Sequence, residues 1–204
     1  MSAVTLELFG DSAWRVPLAT GRDPRALLDA LRSIPHVVDA VVAEEHALVA
    51  FDAASPPLRD DVEAAVGRAF VPATRAPGRE HTVPVRYDGL DLEEVARETR
   101  MTVHEVVALH EASEYVVATI GFMPGFAYLR GLDARLVLPR RSSPRARVPA
   151  LAVGIAGPYA GIYPFASPGG WHLLGTAVGF TPFDARAGAT LALGDRVRFV
   201  PVPP

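Results

Sequence analysis

The sequence predicts an α+β fold in two parts, a small ferredoxin-like N-terminal domain at residues 1–78 and an antiparallel β-rich domain at residues 79–204. Helical spacing of apolar residues alternates with short strands in the first 70 residues, whereas short strands broken by glycine and proline fill the chain beyond residue 120. A segment rich in proline and charge, Val71 to Thr82, separates the two patterns and indicates a linker.

Four strands are predicted in the first part. Thr5 to Leu8 and Ala13 to Leu18 flank a Gly-Asp turn, and Val37 to Val42 and Leu48 to Phe51 form a hairpin around the turn at residues 44–46. Apolar and β-branched residues dominate all four runs, which is typical of half-buried strands.

Two helices complete the first part. Asp23-Pro24 begins the first, with Asp as the N-cap and Pro at the first helical position. A second helix is predicted from about Leu58 to Phe70. Their inward faces are predicted to be Leu27, Leu28 and Leu31 in the first, and Val62, Ala65, Val66 and Ala69 in the second. The order strand–helix–strand–strand–helix is most of a ferredoxin-like plan.

The second part opens with a strand at Val83 to Tyr87. Two capping-box patterns, Asp91 to Glu94 and Thr102 to Glu105, then predict two short helices in succession. A strand follows at Glu114 to Ile120, and a last one is expected within Leu191 to Phe199. The many short strands between them indicate an antiparallel barrel or a sandwich, which periodicity alone does not distinguish.

Composition excludes several functions. The chain contains no cysteine, lysine, asparagine or glutamine, so a disulfide, a thiolate metal site, a P-loop lysine and a Schiff base are all ruled out. A net charge of −3 gives no general attraction to nucleic acid or to an anionic membrane. Every basic side chain is arginine, a bias that a GC-rich genome also produces. No secretory signal or membrane-spanning stretch is evident, so we expect a cytoplasmic protein.

A cluster of arginines is the first candidate site. Six arginines and one acid lie between Arg130 and Arg147, in a chain that is negative overall. Arg140, Arg141 and Arg145 are candidates for gripping a phosphate or carboxylate through the planar guanidinium. The alternatives are a solvated basic loop and a patch that pairs with acids on a partner.

His110 is the candidate acid–base group. It lies near the end of the second predicted helix of this part, where a histidine either favours the negative helix terminus or faces a pocket and transfers protons. His104 lies six positions earlier, on the wrong helix face for sharing a metal with His110. The remaining histidines are scattered, so no metal site is predicted for this chain alone.

Aromatic residues beside glycine and proline form the second candidate site. They occur in Gly121-Phe-Met-Pro-Gly-Phe-Ala-Tyr-Leu129 and in Ser167-Pro-Gly-Gly-Trp171. The second motif indicates a tight turn that brings backbone amides toward a ligand, with the tryptophan as an apolar wall. Residues 148–183 carry no charge but hold six aromatics, a composition typical of an interface core and equally of a barrel core.

Residues 83–202 resemble the family that includes the B-type subunit of 5-oxoprolinase, the sporulation-kinase inhibitor proteins and allophanate hydrolase subunit 1. The matching motifs are the two just quoted together with Pro139-Arg-Arg141, Pro144-Arg145, Val148-Pro-Ala150, Gly154-Ile-Ala-Gly157 and Gly161-Ile-Tyr-Pro164. The opening Gly10-Asp-Ser-Ala13 is also similar, so the resemblance covers most of the chain. It implies a cyclophilin-like β-barrel in the second domain.

The resemblance implies one subunit of an ATP-dependent 5-oxoprolinase, which converts 5-oxoproline, ATP and water to glutamate and is inactive without its companions. Those companions would be a larger protein of the 5-oxoprolinase C type or the allophanate hydrolase subunit 2 type, and a lactam-utilisation protein of the A type. ATP and Mg would be bound in the assembled complex. The alternatives within the family are a subunit of an allophanate hydrolase or urea carboxylase system and a non-catalytic inhibitor of a histidine kinase.

The resemblance also extends to site residues. It implies catalytic roles for His110, Arg140 and Arg145. The implied substrate-binding residues are Phe122, Pro124, Gly125, Tyr128, Arg141, Ser167, Gly169, Gly170 and Trp171. The chain departs from the family pattern at Leu151-Ala152, where Gly and Ser are common, at Tyr159-Ala160, where Gln and Thr are usual, and at Thr176, where Arg is frequent.

Overall fold

The structure is a computed structural model that describes residues 6–18, 23–57, 59–68 and 78–203. It comprises two compact units, Met1–Pro77 and Gly78–Pro204. Within the described residues, no helix is both long and apolar enough to cross a lipid bilayer.

The N-terminal unit is a four-stranded antiparallel sheet with two helices. Its elements are β1 (Glu7–Leu8), β2 (Ala13–Pro17), α1 (Pro24–Arg32), β3 (Val37–Val42), β4 (His46–Phe51) and α2 (Arg59–Arg68). The strand order is β1-β2-β4-β3. This order places the first and third strands of the predicted ferredoxin-like plan side by side in the middle of the sheet. The edge beside β2 is taken by the short β1, which precedes it in the chain, rather than by a strand after α2.

Local sequence signals account for both helices of this unit. The Asp23 carboxylate accepts hydrogen bonds from the backbone N–H groups of Arg25 and Ala26, so the predicted N-cap is confirmed. Leu27 and Leu31 are fully buried on the inner face of α1. In α2 the fully buried residues are Val62, Ala65 and Val66, and the predicted Ala69 lies outside the described residues.

The C-terminal unit contains eleven strands, two α-helices and a short 3₁₀ turn within residues 78–203. The first elements are β5 (Glu80–Arg86), α3 (Leu92–Thr99), α4 (Val103–Ala112), β6 (Tyr115–Ile120), β7 (Ala127–Arg130), the 3₁₀ turn Ala134–Leu136, β8 (Arg145–Val148) and β9 (Ala152–Ala156). The others are β10 (Tyr159–Ile162), β11 (Ser167–Gly169), β12 (His172–Ala177), β13 (Phe183–Asp184), β14 (Gly188–Ala189) and β15 (Arg196–Pro201).

Seven of these strands close into a barrel, so the predicted β-barrel is confirmed. The order around the barrel is β10-β7-β6-β15-β5-β12-β9, while β8 pairs with β11 and β13 with β14 outside it. The expectation of a purely antiparallel barrel was wrong in one place, because β15 runs parallel to β5 from Arg196 opposite Glu80 to Pro201 opposite Val85. The last strand lies at the end of the predicted range and runs two residues beyond it, from Arg196 to Pro201. The uncharged strand β9 is buried at every position, so much of residues 148–183 is barrel core.

The two predicted capping boxes have different outcomes. In α4 the Thr102 hydroxyl accepts from the Glu105 N–H at 3.2 Å and the Glu105 carboxylate accepts from the Thr102 N–H at 2.7 Å, so this box is confirmed. In α3 the prediction of the helix was correct but that of the box was wrong. The Asp91 side chain makes no capping hydrogen bond, because its carboxylate bonds residues distant in sequence.

The linker prediction leads to an expected result in limited proteolysis. Of the predicted linker, residues 71–77 lie outside the described residues, and the prediction was wrong at residues 80–82, which belong to strand β5. Arg79, just before that strand, is held by the barrel. Its N–H donates to the Asp195 carboxylate at 3.0 Å and its carbonyl accepts from the Arg196 N–H at 2.8 Å. We therefore expect dilute trypsin to cut first after Arg75 rather than after Arg79, as read by mass spectrometry of the earliest fragments. A first cut inside residues 121–175 would contradict the predicted division at residues 78/79.

Candidate functional site

A cleft of about 260 Å³ lies in the C-terminal unit between three loops. One loop joins β6 to β7, the second precedes β8, and the third carries the turn between β11 and β12. The cleft is lined by Phe122, Phe126, Tyr128, Arg140, Pro144, Tyr163, Pro168, Gly169, Gly170 and Trp171. A concave apolar surface with very few polar groups is the usual form of a small-molecule site.

Five aromatic rings build the apolar wall, with Phe126 at their centre. Its ring centroid lies 5.4 Å from Phe122, 5.0 Å from Tyr128, 5.3 Å from Tyr163 and 5.3 Å from Trp171, all in edge-to-face arrangements. Such pairs are worth about 0.5–1.5 kcal/mol each beyond the area they bury. The wall is therefore a rigid cluster rather than a set of independent side chains.

Two glycines allow the rings to pack so closely. A Cβ atom at Gly161 would lie 3.1 Å from both the Phe126 and Trp171 rings, and one at Gly169 would lie 2.5 Å from the Tyr163 hydroxyl oxygen. The second distance is shorter than any ordinary van der Waals contact. The Gly169 backbone therefore reaches the cleft because it has no side chain.

Phe122 holds an unusual backbone conformation at the rim. Its φ is 72°, in the left-handed region that favours glycine, and 60% of the residue is exposed. A large aromatic residue in this region costs about 1–2 kcal/mol, and such outliers concentrate at functional sites. The ring nevertheless stands edge-on to Phe126 and Tyr163, so the strained backbone presents an aromatic edge at the mouth of the cleft.

Arg140 supplies the cation of the cleft. It is exposed, and its side chain has no ion pair or hydrogen bond to any residue that the structure describes. Burial raises the pKa of the neighbouring Tyr163 to about 12, partly offset by a hydrogen bond from the Trp171 backbone and by the positive charges of Arg140 and Arg145. The phenol therefore stays protonated at neutral pH, and the guanidinium is free to bind an anion.

The other two candidate arginines bind acids of this chain. Arg141 Nη1 donates to Asp91 at 3.0 Å and to Glu94 at 2.5 Å, and Arg145 Nη2 donates to the same Asp91 oxygen. The bond to Glu94 is the main cause of the raised pKa of Arg141. Neither guanidinium lines the cleft. Of the three predicted anion-binding arginines, the structure brings only Arg140 into it.

Five of the eight remaining predicted binding residues line the cleft and three do not. Phe122, Tyr128, Gly169, Gly170 and Trp171 line the cleft, whereas the residues that do not are Pro124, Gly125 and Ser167. Gly125 has φ 79° and packs where a Cβ would lie 2.7 Å from the Phe183 Cβ, so it fixes the loop against residues 182–183. The Ser167 hydroxyl donates to the Pro168 carbonyl at 3.2 Å.

His110 lies in the barrel core instead of the cleft. It is fully buried and stacks on Phe199 with ring centroids 4.6 Å apart, and its Nδ1 lies 2.8 Å from the Tyr87 hydroxyl. Burial lowers its pKa to about 3. The side chain reaches no part of the cleft, so the geometry argues against the predicted proton-transfer role, and helix position alone did not reveal this burial.

The buried His110 leads to an expected pH dependence of stability. Its folded pKa of about 3 lies below the unfolded value of about 6.5, so only the unfolded state takes up the proton between these values. This group alone should lower the unfolding free energy of the C-terminal unit by about 1.4 kcal/mol per pH unit as pH falls below 6.5. Urea unfolding at pH 7 and pH 5 measures the loss.

A His110→Phe variant should lose this contribution to the pH dependence of the unfolding free energy, because phenylalanine cannot titrate but still stacks on Phe199. The exposed His104 offers a matched control, and His104→Gln should keep the slope of the original protein. If the unfolding free energies of the two variants depended equally on pH, His110 would take up its proton already in the folded protein.

The structure shows the conformation and contacts of the residues that depart from the family pattern. Leu151 has φ 64°, which explains why glycine suits this position. Tyr159 packs against Tyr128 with ring centroids 5.5 Å apart and lies under the Arg130 guanidinium. The Thr176 hydroxyl donates to Asp88 at 2.9 Å. The Leu151 N–H donates to the Tyr163 carbonyl at 2.7 Å and the Tyr163 N–H donates to the Ala152 carbonyl at 2.9 Å. The departures at residues 151, 152 and 159 therefore all adjoin the aromatic wall.

Four lining residues were not predicted, namely Phe126, Pro144, Tyr163 and Pro168. All four lie inside the motifs quoted above, so the motifs mark the cleft more completely than the individual residues chosen from them. Among the described residues there is also no cluster of three histidine or acidic side chains that would hold a metal ion.

Comparison with known proteins agrees with this architecture. The chain shares its fold with part of the Kluyveromyces lactis urea carboxylase, on which it superposes with a TM-score of 0.74, covering 98% of this chain and 22% of that one at 18% identity. The family model described as "Carboxyltransferase domain, subdomain C and D" matches residues 4–191. The chain belongs to this family.

Closer relatives carry a common name, that of the B-type subunit of 5-oxoprolinase. The chain is 47% identical over 124 residues to the protein of this name from Escherichia coli O157:H7 and 44% identical over 122 residues to that from Bacillus subtilis. These matches cover 58% of this chain and 56% and 51% of the two relatives, so they span about half the length of each relative. The solved structure of TTHA0988 has a TM-score of 0.80 at 36% identity, over 94% of this chain and 40% of that one.

Proposed function

We propose that this chain is the B-type subunit of a 5-oxoprolinase and that its cleft binds the carboxylate and ring of 5-oxoproline. The observation that carries the proposal is the Arg140 guanidinium, which pairs with no described residue, at an otherwise apolar cleft in a chain 42–47% identical to proteins that are named as this subunit. A small cyclic carboxylate combines the two features that this surface complements, an anion and a compact apolar ring.

Each part of the cleft has a role in this proposal. Arg140 grips the carboxylate through two parallel N–H···O bonds, which fixes the orientation of the ring as well as its position. Trp171 and Phe126 exclude water from the ring, which strengthens the charged contact. The chain thereby binds and orients the lactam, and the chemical step falls to the assembled complex.

The proposal does not put ATP and its magnesium ion in this cleft. Its volume of about 260 Å³ lies below the roughly 300–1,000 Å³ of pockets for drug-sized ligands. The chain also has no lysine for a P-loop. We therefore place ATP in the assembled complex, on a companion protein, and assign no ATP-dependent step to the residues of this chain.

The proposal includes companion subunits of the C type and A type. Exposed aromatic side chains support an interface beside the cleft, since Phe122 at its rim is 60% exposed and Phe165, which does not line it, is 46% exposed. Phe165 packs on Phe183, against which the Gly125 loop is seated, so these rings belong to one surface. Exposed apolar patches of this kind commonly mark contacts with another protein.

Co-expression tests the proposed function. The chain, its genomic neighbour of the C type and the lactam-utilisation protein of the A type should co-elute and release glutamate from 5-oxoproline with consumption of ATP, whereas the chain alone should not. An intact complex that releases no glutamate would contradict the proposal. Carboxyl transfer with a biotin-dependent partner would favour the urea carboxylase alternative, and tight binding to a histidine kinase would favour the inhibitor alternative.

A further inference from the structure

We infer that Asp91 is a positioning residue. It fixes the segment that carries Arg140 relative to the turn at Gly169 and Gly170, so that both face the same ligand. The inference rests on the proposed function, since it concerns how the cleft recognises its carboxylate ligand. Asp91 lies at the start of α3 and does not itself line the cleft.

The Asp91 carboxylate is almost fully buried and makes three hydrogen bonds. One oxygen accepts from Arg141 Nη1 at 3.0 Å and from Arg145 Nη2, while the other accepts from the Leu173 N–H at 2.7 Å. The side chain is 2% exposed. The Asp91 N–H also donates to the Leu173 carbonyl at 3.1 Å. These contacts thus join one residue to two segments that are distant in sequence.

These two segments are the walls of the cleft. Arg141 follows Arg140 directly, and its N–H donates to the Gly170 carbonyl at 2.8 Å. Arg145 Nη1 donates to the Trp171 carbonyl at 3.4 Å, while its other nitrogen reaches Asp91. The carboxylate therefore anchors the Arg140 segment on one side and, through Leu173, the strand that follows Trp171 on the other.

Neither helix capping nor neutralisation of Arg141 explains this arrangement. A helix-starting aspartate normally bonds the N–H groups of the first turn, and Asp91 makes no such bond. Arg141 has a second acid partner, Glu94 at 2.5 Å, so its charge is balanced without Asp91. What Asp91 alone provides is the shared oxygen between two guanidinium groups and the link to the Leu173 backbone.

The test uses the full chain and the fluorescence of Trp171. The sequence has two tryptophans, so a Trp14→Phe background makes Trp171 the only reporter. In this background, the isosteric Asp91→Asn should shift Trp171 emission to longer wavelength, because the freed turn admits water. Its dissociation constant for 5-oxoproline should rise at least about tenfold, since small displacements of binding groups are costly. The matched control Glu94→Gln should change both quantities little.

Two further variants separate positioning from charge balance and from misfolding. If Asp91 only neutralised Arg145, Asp91→Asn/Arg145→Met would regain the original affinity, whereas the positioning account predicts that it stays weak. Arg145→Lys keeps the charge but loses the fork that reaches both Asp91 and the Trp171 carbonyl. Arg145→Lys should therefore show the same shift of Trp171 emission although Asp91 is unchanged. This variant tests the inference even if Asp91→Asn does not fold.

The outcomes also distinguish this inference from the proposed function. If the original chain binds no 5-oxoproline, the proposed function fails, and Trp171 emission alone decides the role of Asp91. Unchanged emission in Asp91→Asn and Arg145→Lys would then overturn the inference. If the original chain binds 5-oxoproline and Asp91→Asn binds it equally well, the inference fails while the proposed function stands.

Discussion

In the proposed 5-oxoprolinase complex, replacing Arg140 with alanine should reduce glutamate release about 30- to 1000-fold, while the complex stays intact. That range corresponds to about 2–4 kcal/mol, the usual result of removing one partner of a desolvated charge pair. Arg140 is exposed and pairs with no described residue, so its loss should leave the fold unchanged. Steady-state rates and size-exclusion elution of the same preparation check both statements.

The control for this experiment is Arg147→Ala. Arg147 is also exposed and lies seven positions further along the chain, but it does not line the cleft. Its replacement removes the same charge and should leave the rate within about twofold of the original, since surface substitutions rarely exceed about 0.5 kcal/mol. Equal rates in Arg140→Ala and Arg147→Ala would show that Arg140 holds no ligand.

Replacing Phe126 with alanine should lower the unfolding free energy of the C-terminal unit by about 3–5 kcal/mol. Phe126 is 1% exposed and is the ring that all the other cleft aromatics contact. Its removal leaves a cavity that Tyr163 and Trp171 cannot both fill without moving. Urea denaturation followed by circular dichroism measures this loss.

Phe122→Ala is the matched comparison, because it removes the same atoms from the rim. The Phe122 ring is mostly exposed and its backbone is strained, so we expect a stability change within about 1 kcal/mol of zero. If Phe126→Ala were as mild as Phe122→Ala, the aromatic cluster would not be the rigid wall described above.

Elements with strong local signals were predictable from the sequence. Asp23 before Pro24 fixed the start of α1, and Thr102 with Glu105 fixed the start of α4, because each cap depends on residues only two or three positions apart. The barrel was predicted through motif resemblance. The parallel pairing of β15 with β5 was not, because its partners are more than 110 residues apart and a parallel strand leaves no distinct local pattern.

Asp91 shows why a local pattern can mislead. Asp91 and Glu94 have capping-box spacing, yet their carboxylates bond Arg141 and Arg145, about 50 positions later in the chain. At Asp91 two arginines and the Leu173 amide, all brought there by the fold, take the place of the amides of the first helical turn. The same long-range pairing removed two of the three candidate arginines from the cleft, which no scan of neighbouring residues would have revealed.

The position of His110 was unpredictable for a related reason. Helix α4 has apolar residues on several sides, so its sequence does not indicate which face meets the barrel core. The rings of Phe199 and Tyr115 that enclose His110 come from two different strands. Burial decided by such distant packing appears only in the folded chain.

Fluorescence titration of the Trp14→Phe chain with 5-oxoproline tests the central claim most directly, because Trp171 forms a wall of the cleft. We predict a saturable change in emission that is abolished by Arg140→Ala and retained in Arg147→Ala, with no saturation by 2-pyrrolidinone, which has the ring but lacks the carboxylate. Absence of saturation with 5-oxoproline, or the same affinity in Arg140→Ala, would contradict the assignment of this cleft as a carboxylate-binding site.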